Sequence, residues 1–170
     1  MSKYESPRYQ VVRSEKPFEI RKYQGYYTTA VQESSLSGYS GFGLLFSYIS
    51  GNNVRKEKLS MTVPVINDFV DDSMTMEFVV PSNFEKNIPE PSNKLLKTKH
   101  YPGHFAACIT FSGTTGSRRV GNKRKQLEDW LESHSLKATS AFRLARYNPP
   151  FSLPFLRKNE IIIQIDFKSE

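Results

Sequence analysis

Cysteine is all but missing: Cys108 is the single one in 170 residues. An internal disulfide is therefore excluded, as is a metal site made of cysteines alone. No apolar run approaches the roughly 18 residues of a membrane-spanning helix. The opening MSKYESPRYQ also lacks the apolar core of a secretory leader, so a cytoplasmic setting is expected. Histidine is scarce too. His100 and His104 flank a Pro-Gly turn and His134 ends a helical pattern, so they read as solvated residues rather than a ligand set. No glycine-rich phosphate loop follows a strand, and no Ser–His–Asp set or carboxylate pair stands out. The chain reads as a non-enzyme with no catalytic residue. Without a recognisable nucleic-acid module, it is not expected to bind DNA or RNA specifically.

Aromatic residues are plentiful, with 12 Phe and 9 Tyr, a composition suited to half-buried strands. Lysine and arginine outnumber acidic residues 24 to 17, giving a formal charge of +7. That balance favours an anionic partner, or serves solubility alone. Residues 1–8 are polar and read as a loose arm, and residues 9–170 as one domain and a monomer. Period-two alternation predicts strands over residues 9–13, 18–23, 26–32, 61–66, 74–80, 95–100, 105–111, 138–147 and 160–167. Gln24-Gly25 and Tyr101-Pro102-Gly103-His104 read as tight turns between consecutive strands.

Two helices interrupt the strands. Over residues 41–50, Phe42, Leu45, Phe46 and Ile49 recur at i, i+3, i+4 and i+7, with Leu44 and Tyr48 on nearly the opposite side. Gly51 suits the left-handed residue that closes such a helix. Over residues 117–133, Val120, Leu127, Trp130 and Leu131 form a buried stripe. This second helix begins with Arg118, Arg119, Lys123, Arg124 and Lys125, cations that oppose the helix dipole at that end. The order strand–strand–helix–strand–strand thus occurs twice, over near-equal spans. It predicts an α+β fold: a twisted, distorted β-barrel of two pseudo-symmetric halves flanked by two helices.

Several stretches carry a family likeness: Phe18–Tyr23 (FEIRKY), Tyr48–Asn53 (YISGNN), Ser60–Val65 (SMTVPV), Phe78–Phe84 (FVVPSNF) and Ala145–Ile161 (ARYNPPFSLPFLRKNEI). On these the chain resembles the SOUL haem-binding protein family, over nearly its whole length after residue 8. The resemblance implies the same two-helix barrel, shared with bacterial effector-binding domains related to gyrase inhibitors. It also implies reversible binding of haem or another tetrapyrrole between the first helix and the loop before the last strand.

Carried to this chain, the expected haem-binding residues are Phe42, Leu45, Phe46 and Ile49 on the helix, with Phe151, Phe155 and Arg157 on the loop over residues 148–158. Some family members have a histidine, proposed as an axial ligand, where this chain has Lys22. A lysine must lose its proton to bind iron, which from a pKa of about 10.4 costs roughly 4–5 kcal/mol at neutral pH. Haem is therefore expected to be held by apolar contact, with no confident axial ligand. The alternative is a protein-interaction or effector-binding module whose groove takes a peptide or another apolar ligand.

Overall fold

The computed structural model describes residues 3–33, 39–70, 73–149 and 151–168. In chain order the strands are β1 (Tyr9–Glu15), β2 (Phe18–Tyr23), β3 (Tyr26–Glu33), β4 (Val65–Val70), β5 (Ser73–Val79), β6 (Leu96–Tyr101), β7 (His104–Phe111), β8 (Lys137–Ala138), β9 (Arg143–Arg146) and β10 (Asn159–Asp166). The helices are α1 (Tyr39–Ile49) and α2 (Ser117–Ser133). The chain divides into two compact units: unit 1, Met1–Pro7 with Gly25–Pro102, and unit 2, Arg8–Gln24 with Gly103–Glu170.

Each unit is an open antiparallel sheet carrying one helix. In unit 1 the strand order is β6-β3-β5-β4 and α1 packs on β3 and β5. In unit 2 the order is β1-β2-β7-β10-β9, with β8 also on β10, and α2 packs on β7, β8 and β10. The α+β class and the doubled plan are as expected. The four strands β6-β3-β5-β4 match β2-β7-β10-β9 in order, and the helix follows the second strand of each set.

The turns differ from expectation. β2 does not fold back on β3 across Gln24-Gly25, and β6 does not fold back on β7 across Pro102-Gly103. Instead β2 pairs with β7, placing Tyr23 opposite His104, and β3 pairs with β6, placing Tyr26 opposite Tyr101. Both glycine dipeptides are points where the chain leaves one unit for the other. A turn signal describes local backbone only, whereas the partner of a strand is chosen by the side chains that its face must cover.

The core of unit 1 gathers Val31, Leu45, Tyr48, Ile49, Leu59, Met76, Phe78 and Leu96. In unit 2, Leu127, Trp130 and Leu131 of α2 are buried, as are Ile20, Ile109, Leu144, Ile161 and Ile163 of the sheet. The Trp130 indole lies parallel to the Phe18 ring, with centroids 5.1 Å apart. Gly51 closes α1 at φ +115°, the Asn52 amide donating to the Ser47 carbonyl at 3.1 Å. Asn53 then holds the corner: its Nδ2 donates to the carbonyls of Tyr48 and Glu57 at 3.2 and 2.7 Å, and its Oδ1 accepts from the Glu57 amide at 3.1 Å.

Two strands differ from their alternation, one shifted along the chain and one split. Residues 61–64 lie outside the sheet, where Pro64 has no amide to donate, and β4 begins at Val65. Residues 139–142 separate β8 from β9, because the Gln164 amide donates to the Ser140 hydroxyl rather than to a strand carbonyl. At the other end of the chain, within the polar start, the Val63 amide donates to the Glu5 carbonyl at 2.9 Å and the Ser82 amide to the Glu5 carboxylate at 3.0 Å. Among the described residues no helix is long and apolar enough to cross a membrane.

Candidate functional site

The four apolar residues expected on one face of the first helix separate in the structure. Leu45 and Ile49 are buried in the core of unit 1 with Tyr48, so they are not open to a ligand. Phe42 and Phe46 lie at the edge of that contact, 39% and 52% exposed. Their rings are near parallel, 13° apart in plane with centroids 6.2 Å apart, and Phe42 rests edge-on against Phe78 at 5.3 Å. Two aromatic faces are thus presented together on a helix whose other side is fixed by packing. The start of α1 is fixed by Glu33, whose carboxylate accepts from the Gly41 amide at 2.9 Å, a negative charge where the helix dipole favours one.

The loop residues of the expected site lie in unit 2. Phe151 and Phe155 are both strongly exposed, at 88% and 70%. Arg157 lies inward of them, its Nε donating to the Ser152 carbonyl at 2.8 Å, so it braces the loop. Lys22 is exposed on β2 with its ammonium 5.7 Å from the Phe105 ring centre. The two turn histidines are stacked rather than simply solvated: His100 lies on Tyr27 and His104 on Tyr23, with centroids 4.4 and 5.3 Å apart. Cys108 is fully buried, and burial pushes its thiol up to about 12. Among the described residues no three of His, Cys, Asp and Glu gather as a metal site would require.

The most strongly organised polar groups lie outside the expected site. In unit 1, Glu77 is fully buried. One of its oxygens accepts from Thr28 Oγ1 and Tyr101 OH, each at 2.8 Å, and the other from Lys99 Nζ at 2.6 Å and Thr75 Oγ1 at 2.9 Å. In unit 2, Glu160 is fully buried and Arg21 nearly so. Arg21 donates to both Glu160 oxygens, at 2.9 and 2.6 Å, and Tyr147 OH donates at 2.7 Å. Burial alone would raise the Glu160 carboxyl, but Arg21, with help from Lys158 and Tyr147, holds it below its ordinary range. The Tyr147 phenol is pushed well up, first by burial and then by the Glu160 charge.

A short repeat marks these clusters. Arg21-Lys22-Tyr23-Gln24-Gly25-Tyr26-Tyr27 and Lys99-His100-Tyr101-Pro102-Gly103-His104-Phe105 share a cation, a tyrosine two residues on, a glycine two further, and two ring-bearing residues. Both cations sit two residues before a tyrosine that is stacked on its partner strand, and both reach a buried glutamate of their own unit. A cleft of about 550 Å³ opens over Arg21, lined also by Tyr9, Lys16, Glu19, Thr110 and Lys158. Arg21 is neutralised by Glu160 and Glu19, and Lys158 also pairs with Glu160 at 3.5 Å.

Among known proteins, the family model described as SOUL heme-binding protein matches residues 4–164. No curated protein matches by sequence. Among solved structures, the C-terminal domain of EcmrR is similar at a TM-score of 0.68 and 14% identity, over 93% of this chain and 98% of that one. A hydrolase from Listeria innocua is similar at 0.63 and 12% identity, over 91% and 94%. SAV2435, solved with tetraphenylphosphonium, is similar at 0.50 and 8%, over 88% and 93%. At these identities the likeness is one of fold.

Proposed function

The chain belongs to the SOUL haem-binding protein family, and on that footing we propose that it binds haem or a related tetrapyrrole reversibly, without turning it over. The observation that carries the reading is the aromatic pair on α1. A tetrapyrrole is a flat apolar disc, and its receptor needs flat apolar faces held in place before the ligand arrives. Phe42 and Phe46 are parallel, open and fixed by a packed helix. α1 carries no histidine, cysteine, methionine or lysine, and the hydroxyl of its buried Tyr48 donates to the Pro89 carbonyl, so the reading rests on ring contact. The loop residues Phe151, Phe155 and Arg157 belong to unit 2 and are assayed separately from the α1 pair.

Haemin titration followed at the Soret band tests this. Removing one aromatic wall, as in Phe46→Ala, should weaken binding roughly 5- to 150-fold, the equivalent of burying one large apolar side chain. Phe155→Ala should show a similar loss if the loop takes part and none if α1 acts alone. Arg157→Ala should weaken binding by less than about tenfold, since a charge still open to solvent contributes little, and Lys22→Ala should leave the spectrum unchanged. Normal binding by both Phe42→Ala and Phe46→Ala would overturn the assignment to α1.

A second reading is an effector-binding module for another apolar ligand, prompted by the fold shared with SAV2435, which was solved bound to tetraphenylphosphonium. Competition between haemin and tetraphenylphosphonium separates the two readings. Binding of the cation without any binding of haemin would favour the effector module.

A further inference from the structure

The loop between β9 and β10 is tightly held by its backbone yet turns its apolar side chains to water. The Tyr147 amide donates to the Lys158 carbonyl at 3.1 Å, the Lys158 amide to Asn148 Oδ1 at 2.7 Å, and the Gly113 amide to the Pro154 carbonyl at 2.9 Å. A segment fixed this way has lost most of its conformational freedom and gains no burial in return. Phe151, Leu153, Phe155 and Leu156 nevertheless stand 56–88% exposed. An exposed apolar cluster of this size is the mark of an interaction surface.

The cations beside the loop narrow the partner. Gly113 links the loop to α2: a Cβ built on it would lie 3.0 Å from the guanidinium carbon of Arg119. Arg118 and Arg119 in the first turn of α2 are exposed and make no ion pair among the described residues. One turn further on, Arg124 and Lys125 are paired with Glu128 and Asp129. Unpaired cations in a first helical turn oppose the dipole, and an anionic partner would offset that cost. Lys158, at the base of the loop, is by contrast already paired with buried Glu160 at 3.5 Å.

From this juxtaposition we propose that unit 2 docks on an anionic lipid surface, with Phe151, Phe155 and Leu156 entering the interface and Arg118 and Arg119 meeting the headgroups. Apolar insertion and headgroup attraction are the two contributions that together hold a peripheral protein on a bilayer. The inference rests on the loop and its flanking arginines alone, and stands whether or not α1 binds a tetrapyrrole.

The test is flotation of the full chain with vesicles of phosphatidylcholine alone or mixed with phosphatidylserine. Binding should be confined to the mixed vesicles and should weaken with salt. Arg118→Ala with Arg119→Ala should cost roughly 30-fold in partitioning, about fivefold for each charge. Phe151→Ser with Phe155→Ser should cost at least about tenfold. These side chains are exposed, so circular dichroism and haemin titration of the arginine variant should be unchanged. Insertion is read directly from Phe155→Trp in a Trp130→Phe background, whose emission should shift to the blue and be quenched by brominated lipid. Absence of binding to mixed vesicles, binding indifferent to the phenylalanine pair, or an unquenched indole would each overturn the proposal. Saturable binding to a protein in place of lipid would reassign the surface to a protein interface.

Discussion

Arg21 and Glu160 lie on β2 and β10, the two strands that flank β7, and their side chains meet across it in a bidentate pair at 2.6 and 2.9 Å. Removing one member of a buried pair strands the other's charge, at a cost of about 3–5 kcal/mol; the partners that remain, Glu19 on Arg21 and Lys158 on Glu160, are more exposed and offset only part of it. Arg21→Met and Glu160→Gln should each lose stability on that scale in chemical denaturation. The double variant should lose less than the sum, because the second change removes the charge that the first one stranded.

The same pair sets an acid limit. The Glu160 carboxyl is held below its ordinary value of 4.5, so the unfolded chain takes up this proton at higher pH than the folded one. The stabilisation is complete above about pH 4.5 and is lost as pH falls through the folded value. Denaturation midpoints measured from pH 7 downwards should therefore fall more steeply below pH 4.5 in the natural chain than in Glu160→Gln. Parallel profiles would show that Glu160 does not carry this acid sensitivity.

Trp130 is the single tryptophan. It is buried against Phe18, with its Nε1 donating to Glu15 at 3.2 Å. Trp130→Ala should cost roughly 3–5 kcal/mol, and Trp130→Phe, which keeps the ring stack, considerably less. Intrinsic fluorescence in the natural chain will follow unit 2. A loss under about 1 kcal/mol for Trp130→Ala would contradict the packing of α2.

Two glycines of α1 should respond in opposite directions. A Cβ on Gly41 would lie 2.2 Å from the Glu33 carboxylate and would displace the charge that accepts from the Gly41 amide. Gly41→Ala should destabilise by about 1–2 kcal/mol, a charged hydrogen bond lost less the gain in helix propensity. Around Gly43 there is nothing within 4 Å, so Gly43→Ala should stabilise by roughly 0.5–1 kcal/mol. Thermal midpoints of the two variants decide the matter.

Local periodicity made the elements legible. FEIRKY alternates over the residues of β2, and the spacing of Leu127, Trp130 and Leu131 marks a helix that ends at Ser133. Neighbours were harder to read. Alternation says which face of β2 is covered but not that β7 lies beside it, and Gln24-Gly25 looks the same whether the chain turns back or crosses to another sheet. The expected apolar face of α1 contained both kinds of residue: Leu45 and Ile49 in the core, Phe42 and Phe46 outside it. A helical spacing of three and four cannot separate them, because a stripe that wide has a centre and an edge. Glu160 finds Arg21 at a sequence distance of 139, which no local pattern encodes, although the Arg21–Tyr27 and Lys99–Phe105 repeat marked where such cations would fall.

The exchange of β2 and β6 between the units also orders events in time. Every strand of unit 1 lies between residues 26 and 101, so that sheet can assemble as soon as β6 has been synthesised. Unit 2 cannot follow the same course. β1 and β2 are made first, but β2 must wait for β7, and Arg21 for Glu160 near the far end of the chain. On a ribosome the first strands made would be among the last to find their partners, and a nascent chain released before β10 would hold a finished unit 1 with an unpaired amino-terminal hairpin. Pulse proteolysis of stalled chains should accordingly protect residues 25–102 well before residues 9–23.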